Sequence, residues 1–180
     1  MKIMVASDIH GSAYYLEMLI SRYENEKPDK LILLGDILYH GPRNDLPKGY
    51  APKEVIDILN GIKDKILCVR GNCDTEVDQM VLDFPVLADY GFVILNGKSI
   101  YLTHGHNYNG ENPPPLAKGD ILMCGHTHIP TVKEHDGFIY INPGSVSIPK
   151  ENSPHSYIIT DGTKILWKNL EGEIYREYVL

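Results

Sequence analysis

Five short clusters of residues with metal-ligand side chains punctuate the chain: Asp8-Ile9-His10, Gly35-Asp36, Gly71-Asn72-Cys73-Asp74, His104-Gly105-His106 and Gly125-His126-Thr127-His128. Each follows a short apolar run, where α/β sheets place binding sites beyond the carboxyl ends of their strands. Two carboxylates, several imidazoles and one amide carbonyl make a mixed nitrogen and oxygen donor set that needs no thiolate. Such a set suits Mn, Fe or Zn in five- or six-fold coordination, with Ni or Co as alternatives. It is a poor all-oxygen cage for calcium. In extended backbone, residues i and i+2 face the same way. The spacing therefore predicts that Asp8 with His10, and His126 with His128, each aim two donors into one volume while Ile9 and Thr127 point away. Gly11, Gly35, Gly71 and Gly125 allow sharp turns beside the donors.

The donors are too many for one ion. Asp36, alone on its run, is the natural carboxylate to bridge two, and paired dications about 3.5–4 Å apart are a recognised arrangement for hydrolysing phosphoesters. Two dications less the charges of Asp8 and Asp36 leave a local charge of about +2. A hydroxide and a phosphodiester bring that to about zero.

The elements that must carry these donors are legible in outline. Ile3–Ser7 reads as a buried strand, followed by a helix capped by Ser12 with Tyr15, Leu16, Leu19 and Ile20 at helical spacing. Leu31–Leu34 is a second buried strand, His40–Pro52 a surface loop, Lys53–Ile62 a helix and Ile66–Val69 a third strand. This order is a β-α-β-α-β unit with parallel strands. The later half is richer in hairpins. Val93–Leu95 with Ser99–Thr103 flank Asn96-Gly97, Thr131–His135 with Phe138–Ile141 flank Asp136-Gly137, and Ser156–Thr160 with Lys164–Asn169 flank Asp161-Gly162. Ile121–Cys124 and Ile174–Val179 are further strand candidates, and Asn112–Pro115 is a loop that could lead a short helix. No linker separates the halves, so one domain over 1–180 is expected, an α/β sandwich of two packed sheets with helices outside.

Composition narrows the function. The 180 residues are 43% hydrophobic and 23% charged, which fits a folded globular chain. With 17 Lys and Arg against 24 Asp and Glu, the net charge is −7. That opposes duplex nucleic acid as a partner, because phosphate neutralisation supplies such affinity. A small phosphate ester at a local positive centre is compatible with it. No apolar run reaches the roughly 18 residues of a membrane helix, and the N-terminus leads straight into a strand with no room for a signal peptide. Cys68, Cys73 and Cys124 form no disulfide framework, so a cytoplasmic location is expected. Cys68 and Cys124 read as small core residues, and Cys73 as a residue lining the site.

The motifs D-I-H at 8–10, G-D at 35–36, G-N-C-D at 71–74, T-H-G-H at 103–106 and G-H-T-H at 125–128 resemble the calcineurin-like metallophosphoesterase superfamily. The segments LYHGPRN at 38–44, VRGNCD at 69–74 and INPGSV at 141–146 are similar to its small YfcE-type phosphodiesterase branch. The resemblance covers about residues 1–160 and implies a four-layer α-β-β-α sandwich of two mixed sheets flanked by helices. It implies that Asp8, His10, Asp36 and His128 hold one divalent ion, and that Asp36, Asn72, His104 and His126 hold the other. Manganese is the first expectation, with Ni, Fe, Zn or Co as alternatives. The activity it implies is hydrolysis of phosphodiesters by a metal-bridging hydroxide, with Asp36, Asn72, Cys73 and His104 as catalytic residues. His40, Arg43 and Asn44 follow Asp36 and are candidates for the substrate side, as is His106, which is not a ligand in this pattern. Much of the superfamily has His where this chain has Cys73; a thiol with an ordinary pKa of about 8.5 is less suited than imidazole to protonate a leaving group.

Two competitors remain in view. A phosphomonoesterase or nucleotidase would use the same donors. A non-catalytic scaffold of the retromer-subunit type would share the fold but need not retain the ligands, whereas here all seven positions are filled. The hairpins also offer edges for a homo-oligomer.

Overall fold

The structure is a computed structural model and describes residues 1–180. In chain order its strands are β1 (Ile3–Ala6), β2 (Lys30–Leu33), β3 (Ile66–Cys68), β4 (Gly91–Leu95), β5 (Lys98–Leu102), β6 (Asp120–Met123), β7 (Thr131–Glu134), β8 (Phe138–Asn142), β9 (Ser156–Thr160), β10 (Lys164–Asn169) and β11 (Ile174–Val179). The helices are α1 (Ala13–Glu26), α2 (Pro52–Asn60) and the short α3 (Glu76–Gln79).

Alternation along the first strands sets the layers. β1, β2 and β3 pair in parallel, with Met4 opposite Leu31 and Val5 opposite Ile32. Met4, Ala6, Leu31 and Leu33 face one way and pack on Leu16 and Leu19 of α1 and on Val55 and Leu59 of α2. Ile3, Val5, Ile32 and Leu34 face the other way and meet Ile100, Leu102, Ile121 and Met123 of a second sheet. Strands buried on both faces read as unbroken apolar runs, which is the pattern Ile3–Ala6 and Leu31–Leu34 show. The N-cap of α1 is Ser12, whose side chain accepts the Tyr15 N–H at 3.2 Å.

The first sheet has the order β11-β10-β9-β1-β2-β3 and the second β4-β5-β6-β8-β7. Both are mixed, and they stack face to face. The three hairpins form as read, but β5, β6 and β8 also pair in parallel, so β7 lies at the sheet edge. The outer face of the second sheet, around Leu122, Cys124 and Tyr140, is covered by turns that bring Leu116 over it. Asn112–Pro115 leads no helix; three consecutive prolines deny the backbone N–H groups a helical turn requires. The helix over 76–79 had no apolar stripe to announce it. It is held by Asp78, whose carboxylate accepts the Thr75 N–H at 2.6 Å. No helix is long and apolar enough to cross a membrane.

Candidate metal centre

The donors lie just beyond the carboxyl ends of β1, β2, β3, β5 and β6, which open at one edge of the stacked sheets. The i, i+2 pairs are not in extended chain. Asp8 (φ 60), His10 (φ 47), Asp36 (φ 55), His126 (φ 67) and His128 (φ 62) all occupy the left-handed region. A left-handed residue on either side of an ordinary one turns both donors inward, while Ile9 is buried in the core and Thr127 is exposed. For non-glycine residues this conformation costs about 1–3 kcal/mol each and persists only where the surroundings enforce it. The glycines beside them serve two purposes. Gly11 and Gly35 have positive φ, whereas Gly71 and Gly125 are needed for close approach. A Cβ on Gly71 would stand 2.1 Å from Asp36 Oδ1, and one on Gly125 would stand 1.9 Å from Ser7 Oγ.

All seven donors converge. His128 Nε2 is 3.3 Å and His10 Nε2 is 3.6 Å from Asp8 Oδ1, and the two nitrogens are 3.4 Å apart. Asp36 Oδ2 lies 3.6 Å from His10 Nε2 and 3.4 Å from His104 Nε2, so it stands between two groups of donors. Beyond it, His104 Nε2 is 3.1 Å from Asn72 Oδ1 and 3.3 Å from His126 Nδ1. Cys73 offers its sulfur beside His10 and Asp36, with all three donor atoms within 4.8 Å of one another.

Three imidazoles are oriented from behind. Nδ1–H of His10 donates to Tyr39 O at 2.7 Å, that of His104 to Leu34 O at 2.6 Å and that of His128 to Ile148 O at 2.6 Å. Each hydrogen bond fixes the ring and leaves the Nε2 lone pair aimed into the centre. The carboxylates are held in the same way. Asp36 Oδ1 accepts the Cys73 N–H at 2.8 Å, and Asp8 Oδ2 accepts the His126 N–H at 3.1 Å. Asp8 Oδ1 is buried with no hydrogen-bond partner. A buried, ionised oxygen without a partner is costly. Its position among facing imidazole nitrogens fits a bound cation, as does the choice of donor atoms.

Burial alone would raise the Asp8 carboxyl, but the facing imidazoles of His10 and His128 hold it well below the usual range. Burial likewise opposes charge on His104, yet Asp36 and Asp8 lift it to about 9. His126, half-buried and beside His104, is pushed down. The Cys73 thiol is raised to about 12 by burial and by Asp36, so it is a protonated thiol at neutral pH.

Two supports were not assigned roles from the sequence. Asp74 takes three backbone N–H groups on its carboxylate, from Asp36 at 2.8 Å, Ile37 at 2.9 Å and Gly71 at 2.7 Å, and so locks the β2 and β3 loops together. Ser145 and Ser147 both donate to Asp8 O, at 2.9 and 3.0 Å. The stretch that carries these two serines is a buried brace under the first donor loop. Only the fourth position of G-N-C-D hinted at Asp74.

A cavity of about 350 Å³ opens over the centre. It is lined by five of the donors, His10, Asp36, Asn72, His126 and His128, by Cys73, by a wall formed of Gly41–Asn44 and by Lys150. Lys150 had no sequence signal. His40 is not on this wall; its ring packs edge-on against Tyr50, 5.3 Å between centroids. His106 lies outside the cavity, 5.5 Å from the His104 ring, on the rim of a neighbouring hollow.

Comparison with known proteins agrees with this geometry. Residues 1–164 match the calcineurin-like phosphoesterase superfamily domain. The chain is 48% identical over 161 residues to phosphodiesterase YfcE of Escherichia coli K12, covering 89% of this chain and 88% of that one. It superposes on the structure of the Escherichia coli phosphoesterase Yfce with a TM-score of 0.96, at 44% identity and 99% coverage of both chains. A zinc complex of Vps29 from Entamoeba histolytica shares the fold, with a TM-score of 0.64 at 20% identity over 99% of each chain. The chain belongs to the calcineurin-like phosphoesterase superfamily and, within it, to the YfcE-type branch.

Proposed function

We propose that this protein is a phosphodiesterase that works with two divalent ions sharing Asp36. Asp8, His10, Asp36 and His128 would hold one ion, and Asp36, Asn72, His104 and His126 the other; manganese is the first candidate. The observation that carries this reading is the unbroken chain of donor contacts from Asp8 Oδ1 through Asp36 Oδ2 to Asn72 Oδ1, with Asp36 between its two ends. The ions, when bound, supply Lewis acidity to the phosphoryl oxygens and lower the pKa of water.

The chain's own residues do the rest. Asp74 and the Ser145–Ser147 brace keep the donor loops fixed, so little reorganisation is required when the substrate arrives. Arg43 and Asn44 line the cavity, within reach of the phosphate or of its ester groups. In the reaction water adds its oxygen to phosphorus, the bond to one ester oxygen breaks, and the alcohol departs with a proton. With its thiol raised to about 12, Cys73 is a poor donor of that proton. Substrates with good leaving groups, such as aryl diesters, are therefore preferred.

The test is hydrolysis of an aryl phosphodiester and its monoester by protein stripped of metal and reloaded with Mn, Ni, Zn or Mg. Activity on the diester that returns only with metal is expected. Turnover by stripped protein would remove the mechanism, a monoester preference would make it a phosphomonoesterase, and inactivity with every metal would favour a scaffold.

A further inference from the structure

Arg43 and Lys150 both line the cavity over the centre. Six lysines of this acidic surface, Lys2, Lys63, Lys65, Lys133, Lys164 and Lys168, each lie within 4.0 Å of a carboxylate. Neither Arg43 nor Lys150 makes such a pair, although Asp45 is two residues from Arg43. Lys150 is tied in place by its backbone, which donates to the carbonyl of the donor His128 at 3.2 Å. The cavity has no aliphatic side chain beyond Pro42 and no aromatic ring other than imidazole, so it offers neither a stacking platform for a base nor a slot for an acyl chain.

Charge then separates the substrate classes. Two dications with Asp8 and Asp36 carry about +2, which one hydroxide and one monoanionic diester cancel. The two unpaired cations of the walls are left over, and Asp36, already counted, is the only carboxylate lining the cavity. We infer that the substrate is a phosphodiester with a second anionic group, a phosphate or carboxylate, on one of its alcohols, received by Arg43 and Lys150. This rests on the function proposed above and names the substrate class of that site. Its size is bounded by the cavity, which lies at the small end of the range for ligand sites.

The test compares three p-nitrophenyl diesters on the metal-loaded enzyme, whose retained alcohol is ethyl, 2-carboxyethyl or 2-phosphoethyl. Two exposed ion pairs give about a tenfold higher kcat/KM for the charged esters at low salt, shrinking as salt is added. The larger of the two preferences identifies the group as carboxylate or phosphate. Lys150→Ala and Arg43→Ala bring the ratio of charged to neutral ester toward one, through KM, and Lys150→Arg retains it. Binding measured by calorimetry, 2-carboxyethylphosphonate against ethylphosphonate, reads the same preference without turnover. Equal kcat/KM for all three esters, or equal affinity for the two phosphonates, overturns the inference and leaves the phosphodiesterase reading intact. Phosphonate selectivity without hydrolysis of any diester upholds the anion site and overturns that reading instead.

Discussion

Asp8, His10, Asp36 and His128 are 0–3% exposed, while Asn72 and His126, which close the same centre from the other side, are exposed and half-buried. On the first side, both imidazoles are pinned through Nδ1 to backbone carbonyls and the main chain of Asp8 is braced by two serines. On the second, His104 is pinned in the same manner, but His126 turns Nδ1 itself toward the centre and Asn72 reaches only His104 and Cys73. The fold has already met the entropy cost of ordering the first set of donors, whereas Asn72 would still have to be ordered by an ion that bound it. The difference predicts one tightly held ion and one exchangeable ion, joined at Asp36.

The most severe way to break that comparison is at the join. Asp36→Asn removes the charge both halves share and is expected to lower kcat by about 10³-fold or more. Elemental analysis should find both ions depleted; full retention of two would show that Asp36 does not bridge. Asn72→Ala acts on one side alone. It should weaken the exchangeable ion by at least the roughly 10–100-fold that losing a mere support of a metal ligand costs. Dialysed protein should keep about one ion per chain, and loss of both on this substitution would erase the asymmetry.

Protons sharpen the comparison further. In metal-free protein His104 is raised to about 9 from an ordinary 6.5, so its charge stabilises the fold fully below pH 6.5, and this is lost as pH rises through 9. Asp8 is lowered, so its contribution is present above its ordinary 3.8 and is lost as pH falls through the depressed value. Stripped protein should therefore melt lower at pH 9 than at pH 6. An ion bound through His104 must displace that proton, whereas His126, pushed down, has none to lose at neutral pH. Calorimetry at pH 7 in buffers of different ionisation enthalpy should show proton release on filling the His104 side. Affinity there should rise up to tenfold per pH unit until about 9. A pH-independent affinity would contradict the assignment.

The same contrast explains what could be read in advance. Donor identity is local chemistry, so Asp8, His10, Asp36, Asn72, His104, His126 and His128 stood out by type and by their place after apolar runs. The β-α-β-α-β half followed from buried runs alternating with helical spacing. The left-handed backbone at five donors was not visible, because nothing in Asp or His demands it; tertiary braces impose it. Those braces were hidden for the same reason. Asp74 and Ser145 act on loops 38 and 137 residues away in sequence, and ordinary polar residues do not show which chain they will meet. The parallel pairing of β5, β6 and β8 depends likewise on contacts that hairpin signals do not encode.

Cys73, beside His10 and Asp36 in the cavity lining, is the position where the smallest effect is expected. Its N–H holds Asp36 Oδ1, which any residue but proline preserves, and its side chain lines the cavity. Cys73→His therefore changes the acid and leaves the backbone support in place. An imidazole with an ordinary pKa near 6.5 can give up a proton at neutral pH where a thiol raised to about 12 holds it. The gain should appear only where the departing oxygen is basic. Rates for alkyl leaving groups should rise relative to p-nitrophenyl by about tenfold, a modest share of what a positioned general acid contributes. A uniform change across leaving groups would assign the side chain to packing or ion binding, and protonation of the alcohol would then fall to solvent.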